Sequence, residues 1–171
     1  MSKFKLVHWK HYGGYGLLAA VCYSVTAGFY SHDARFTETW LLFAGNLCFM
    51  IVIAASLFAF NRQKKDNSGT VTMLAAGQIT TLTGILVCTL ICFLLLFYYV
   101  PGFMSRGTPE KVLTGEPVNI VRGKTNGMVF MIFMSAVMGN FVAGSTASIL
   151  FSFILKRNQT TEETTAANAE L

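Results

Sequence analysis

MLAAGQITTLTGILVCTLICFLLLFYYV, residues 73 to 100, runs for 28 residues without a charged side chain. As a helix rising 1.5 Å per residue it would measure about 42 Å, more than the roughly 30 Å hydrocarbon core of a bilayer. Such a helix must tilt or project into the interface. Phe93, Phe97, Tyr98 and Tyr99 gather at one end, as aromatic residues do at a membrane boundary, and Pro101-Gly102 stops the run.

Three more stretches share this character: residues 12 to 31, 39 to 60 and 127 to 155. All 21 charged side chains of the chain, 13 Lys and Arg with 8 Asp and Glu, lie outside the four. Charged residues make up 12% of the composition against 53% hydrophobic, about half of the roughly 25% charge usual in soluble domains. The reading is therefore all-α: an integral membrane four-helix bundle, antiparallel up-down-up-down, in a transmembrane domain of residues 12 to 157. The connection His32 to Glu38 is short enough to force a hairpin between spans one and two, with Thr37 or Thr39 able to cap the second helix. Asn61 to Thr72 supplies a polar turn before span three.

The net charge of +5 does not describe a nucleic-acid-binding face, because the basic residues are divided among the segments that flank the spans. Eight of the thirteen lie in the amino terminus, the second connection and the carboxyl terminus, and five in the other two connections. Both termini are thus read as cytoplasmic by the positive-inside rule. Residues 1 to 11 mix Lys3, Lys5 and Lys10 with Phe4, Leu6, Val7 and Trp9, which suits an interfacial segment. Val25-Thr26-Ala27 resembles a signal-cleavage pattern, but the first span is read as retained.

The connection 101 to 126 is the long one. Thr108-Pro109-Glu110-Lys111 joins an N-cap residue to proline at the first helical position, predicting a short helix through about Leu113. Residues 158 to 171, rich in Thr, Ala and Glu without a hydrophobic period, read as a disordered tail. Asn158-Gln159-Thr160 matches a glycosylation sequon that this topology places in the cytoplasm.

Chemistry is scarce. No Asp, Glu, Lys, Arg or His lies within a span, which disfavours proton relays, ion-coupled pumps, voltage sensors and haem held by histidine pairs. His8, His11 and His32 sit at the boundaries and read as interfacial. Cys22, Cys48, Cys88 and Cys92 all fall in spans and are read as free packing thiols, since a structural zinc site needs about four ligands. Glu110 and Glu116 stand among the basic residues of a loop without a nucleophile or metal motif. No catalytic, cofactor-binding or metal site is assigned, and the chain is not read as an enzyme.

Amides and hydroxyls remain. Asn46, Gln78 and Asn140, joined by Thr81, are the strongest polar groups, and they do not share a layer. Asn46 lies about 10 Å below the outer end of span two and Asn140 about 20 Å below that of span four, whereas Gln78 is about 8 Å above the inner end of span three. They are read as interhelical bonds or as a thin polar pathway. Small residues give a second pattern. Gly16, Ala20, Ser24 and Gly28 recur in fours on span one. On span four, Ser135, Gly139, Ala143 and Ala147 form one row of fours and Ala136, Asn140, Gly144 and Ser148 the adjacent row. A docking face of Ser135, Gly139, Ala143, Gly144 and Ala147 fits close packing inside the bundle and equally fits a partner's helix.

A basic start leading into a Tyr-Gly segment, Gly69-Thr70-Val71-Thr72 ahead of span three, Gly77-Gln78 within it, and Ile154-Leu155-Lys156-Arg157 at the end resemble an uncharacterised family of small four-helix bacterial inner-membrane proteins. The resemblance implies that architecture and a bacterial inner membrane. It carries over no catalytic residue, because the family has no established activity. Claudins and tetraspanins fit less well, for lack of an outer-loop cysteine pair and of Cys-Cys-Gly. The expected function is a non-enzymatic structural, accessory or assembly component of a membrane complex, with membrane lipid and a larger complex or a second copy of itself as partners. The alternative is a small oligomeric transporter or channel using the polar residues of spans two to four.

Overall fold

The computed structural model describes residues 7 to 33, 38 to 63, 69 to 99 and 127 to 169. Among the described residues there are four helices and no strand. Helix α1 is Val7–Asp33, α2 is Trp40–Gln63 and α3 is Thr70–Tyr99. Helix α4 covers residues 127 to 169 and widens into one π turn at Ser135–Gly139.

Each charge-free stretch coincides with one helix to within a residue at its described ends or falls inside it, and all four helices extend past a stretch at one end or both. Hydropathy reports where lipid ends, whereas helical hydrogen bonding propagates past that boundary at no new nucleation cost. So α1 begins at Val7, inside the segment read as interfacial, and α3 at Thr70. The longest overrun is α4, whose backbone stays helical to Ala169 through most of the stretch read as a disordered tail. Glu162, Glu163, Ala166, Ala167 and Ala169 are good helix formers added to a helix already nucleated. The short helix expected within residues 108 to 113 lies outside the described residues, as does the whole connection 101 to 126.

Three helices are long and apolar enough to cross a membrane: Trp40–Arg62, Thr70–Tyr99 and Gly127–Lys156. The sequence reading expects four. Helix α1 falls short because tyrosine, glycine and serine fill the face it turns inward, where Tyr12, Tyr23, Tyr30 and Ser24 are buried. Its outer face is as apolar as the others, with Leu17, Leu18, Val21, Val25 and Phe29 exposed.

That outward apolarity belongs to all four helices. Phe43, Leu47 and Ile51 of α2, Leu86, Leu90 and Phe97 of α3, and Phe130, Val142 and Phe153 of α4 all face out. Polar side chains are buried instead, including Thr80, Thr81, Asn140, Ser148 and Ser152. Water would oppose this distribution and lipid does not, because hydrocarbon solvates leucine as well as a protein interior does.

Helix α1 lies against α2 and α3, and α4 packs on the same two helices. Contacts of α1 and α3 ascend together: Gly16 meets Gly84, Gly28 faces Leu95 and His32 touches Tyr99. Along α3 and α4 they run in opposite order, Gly77 meeting Ser148 and Thr81 meeting Gly144. Tyr23, Phe49, Ile53, Cys88, Leu96 and Ile132 fill one core. Tyr12, Leu57, Phe60, Met73 and Leu155 fill a smaller one towards the other end.

Candidate functional site

Glycine decides how closely these helices approach. A Cβ added at Gly16 would stand 3.1 Å from the Gly84 nitrogen and from the Thr80 carbonyl oxygen, so α1 and α3 touch through their backbones. Gly84 in turn leaves room for the Phe49 ring, 2.8 Å from where its Cβ would be. On α2, Gly45 lies beneath Thr26 and the Tyr23 ring of α1.

The contact of α3 with α4 is reciprocal. Ser148 of α4 fits over Gly77, and Thr81 of α3 fits over Gly144. Each helix thus contributes a glycine and, four residues later, a hydroxyl residue. Each hydroxyl also donates to the carbonyl of its own glycine, Thr81 to Gly77 at 2.9 Å and Ser148 to Gly144 at 2.7 Å. Both hydroxyls are satisfied within their helix, as a buried polar group in lipid requires.

The amides pair at separate levels. Asn46 Nδ2 of α2 donates to Ser135 Oγ of α4 at 3.1 Å, and the same amide covers Gly139. Lower on α4, Ser145 Oγ donates to Gln78 Oε1 of α3 at 3.3 Å. Between these levels Asn140 is fully buried, its Nδ2 3.6 Å from Cys88 Sγ and 3.0 Å from the Ala136 carbonyl.

The bond from Asn140 to Ala136 follows from the π turn. The Asn140 backbone N–H reaches the carbonyls of Ser135 and Val137, so it no longer serves Ala136 as an α-helix would require. The side-chain amide supplies the missing donor. Oδ1 of the same amide is buried without a hydrogen-bond partner. The turn answers a problem of phase. Met128, Ile132, Ala136, Asn140 and Gly144 are all buried, yet positions four apart drift about 40° per step on a regular helix of 3.6 residues per turn. One wide turn absorbs most of that drift and keeps all five facing inward.

The predicted docking face is accordingly divided. Gly144 and Ala147 are buried within the bundle, Gly144 beneath Thr81. Ser135 and Gly139 meet Asn46. Ala143 is half-buried and, with Gly139, borders an open groove of about 510 Å³ between α2 and α4. Of the predicted polar group, Asn46, Gln78 and Asn140 reach neighbouring helices, and Thr81 bonds within its own.

Two polar contacts are absent from the sequence reading. His11, read as interfacial, donates from Nε2 to the Ser56 carbonyl at 3.1 Å and lies among the rings of Tyr12, Tyr15 and Phe60. Tyr23 is buried and its hydroxyl points to the Ile132 carbonyl at 3.4 Å. A tyrosine in mid-span, which needs a partner for its O–H, is the signal that could have found the second. The four cysteines are free thiols, with Cys88 and Cys92 buried and Cys48 exposed. Among the described residues no three His, Cys, Asp or Glu side chains are grouped to hold a metal ion.

A scan of protein-family models, a search of curated proteins and a search of solved structures each returned no match.

Proposed function

We propose that this chain is a small four-span protein of the bacterial inner membrane that serves as a non-enzymatic structural, accessory or assembly component of a membrane complex. The observation that carries the proposal is the use made of the polar side chains. Asn46, Gln78 and Asn140 bond or touch neighbouring helices, and Thr81 and Ser148 bond their own. They are spread over several levels, with Thr81, Asn140 and Ser148 buried and Asn46 and Gln78 half-buried, which favours helix packing over one continuous hydrated pathway. Gly139 and Ala143 are the part of the small-residue face left open towards lipid, where another helix could approach closely.

In this reading α1 is the fourth span. It lies alongside α3, its contacts follow that helix from Gly16 to His32, and its outer face is apolar. The bundle then runs up, down, up, down, with both termini in the cytoplasm.

Purification in mild detergent followed by mass spectrometry tests the function. A stoichiometric larger membrane protein is the expected result, and a pure homo-oligomer would transfer the case to transport. Reporter fusions after Lys156 and within Gly107 to Gly115 test the topology. Opposite signals are expected, with the carboxyl-terminal fusion cytoplasmic, and a periplasmic signal there would reject the arrangement.

A further inference from the structure

We propose that the trough between α1 and α3 near their His32 and Tyr99 ends binds one acyl chain of a membrane phospholipid, with the head group held at the mouth. This rests on the reading of α1 as a fourth span. Gly28 lies in its wall and leaves room there: a Cβ at that position would meet nothing nearer than Leu95 Cδ1, at 3.9 Å. The space left is about 520 Å³, within the range of roughly 300 to 1,000 Å³ in which proteins hold small ligands.

Its lining is sorted by polarity. Val21, Val25 and Phe29 of α1 face Ile91 and Leu95 of α3 along the shaft. Ser24 contributes to the floor, but its hydroxyl is fully buried, so what a ligand meets there is apolar. At the mouth the His32 ring stands edge-on to Tyr99, centroids 5.9 Å apart. An imidazole and a phenol at a membrane boundary make this the polar end of the trough, at the level of lipid head groups.

Length identifies the occupant. From Val21 to His32 the trough follows α1 for about 16 Å, roughly half of the 30 Å hydrocarbon core. It therefore covers one leaflet, starting near the middle of span one and ending at its boundary. A partner's transmembrane helix needs about 20 residues and crosses both leaflets, whereas a phospholipid chain reaches from the boundary to the midplane. One polar end, an apolar shaft and one-leaflet length fit a lipid better than a helix.

The full chain is reconstituted in phosphatidylethanolamine and phosphatidylglycerol vesicles containing a phospholipid with a photoactivatable diazirine on its acyl chain, and labelled peptides are mapped by mass spectrometry. A diazirine at the chain end should label Val21 and Ile91, and one nearer the glycerol should label Phe29 and Leu95. Both should exceed the level at Leu86 and Phe153, which are exposed outside the trough. Gly28→Phe fills the space and should reduce labelling to that level, while Ala143→Phe, in the groove between α2 and α4, should leave it unchanged. Circular dichroism and thermal unfolding of both variants establish that they fold.

Labelling of α1 with no enrichment in the trough, or enrichment that survives Gly28→Phe in a folded protein, would overturn the site while leaving α1 in the bilayer. No labelling anywhere on α1, Leu17 and Leu18 included, would overturn the site together with the fourth span.

Discussion

Gly16→Ala measures what the backbone contact of α1 with α3 contributes. The new methyl carbon would stand 3.1 Å from the Gly84 nitrogen, the Thr80 carbonyl oxygen and Thr83 Cβ. Two of these three atoms are helix backbone and cannot turn aside as a side chain would. The helices must separate by several tenths of an ångström, loosening Phe49 where it sits over Gly84. Overpacking of this kind costs about 1 to 3 kcal/mol. Alanine returns up to about 1 kcal/mol by its greater helix propensity, so Gly16→Ala alone should fall between neutral and about 2 kcal/mol less stable.

Gly14→Ala removes the ambiguity. It makes the same exchange two residues away, where an added Cβ meets nothing within 4 Å. Its propensity gain is the same and its steric cost is absent. The two variants should therefore differ by about 1 to 3 kcal/mol, a factor of roughly 5 to 150 in the folding equilibrium. Reversible unfolding in mixed detergent micelles, followed by tryptophan fluorescence and far-ultraviolet circular dichroism, reads the difference. If Gly16→Ala matched Gly14→Ala to within about 0.3 kcal/mol, the two backbones would not be in contact and the placement of α1 would be wrong.

Asn140→Leu should cost about 0.6 kcal/mol, the average for a hydrogen bond in a membrane protein, and up to about 1.7, read in the same unfolding assay; a neutral result would remove the amide from its role in the π turn. Asn140→Cys, in a background without the four native cysteines, should resist water-soluble thiol reagents that modify Thr114→Cys, and rapid labelling would favour a hydrated pathway. Mass mapping without reductant should find four free thiols, with Cys88 and Cys92 protected from alkylation in detergent until the protein unfolds, and a stoichiometric disulfide would contradict their placement. Deleting Asn158 to Leu171 should leave membrane insertion intact, as fractionation would show, because a Thr-, Ala- and Glu-rich segment has little apolar surface to pack.

The helices were legible because charge is excluded from lipid, and four stretches of the chain exclude it. Their ends were less legible, since Val7 to His11 and Asn158 to Ala169 are helical without being apolar. Which face turns inward was harder still. A soluble helix announces its core by an apolar stripe, but α2 offers Leu47 and Ile51 to lipid while burying Phe49 and Ile53. With residues of one kind on both sides, rotation about the helix axis is set by glycine and by polar pairs. The rows of four on span four were visible, whereas the π turn that keeps them in line was not, because it depends on the backbone N–H of Asn140 moving to another carbonyl. Asn46 could be named as a bonding group, but not its partner, because Ser135 is one of several hydroxyls on span four and the sequence does not say which of them stands at the level of Asn46.

The relative size of the two effects says what holds the bundle together. An interhelical hydrogen bond in a membrane averages about 0.6 kcal/mol, because a helix released into lipid finds other partners for its polar groups. The pairs Asn46 with Ser135 and Gln78 with Ser145 then contribute little more together than about 1 kcal/mol. Overpacking a single close contact costs about 1 to 3 kcal/mol, and Gly16, Gly45, Gly77, Gly84, Gly139 and Gly144 each have a neighbour where a Cβ would stand. Shape therefore outweighs hydrogen bonding. Gly77→Ser or Gly144→Ala would be a small change in polarity and a disruptive one in volume, while loss of an amide at the rim of the bundle should be tolerated. The amides then act chiefly on register, since each finds its partner at one level only: Asn46 at Ser135, Gln78 at Ser145. Glycine permits the helices to meet, and the amides select where along their length they do so.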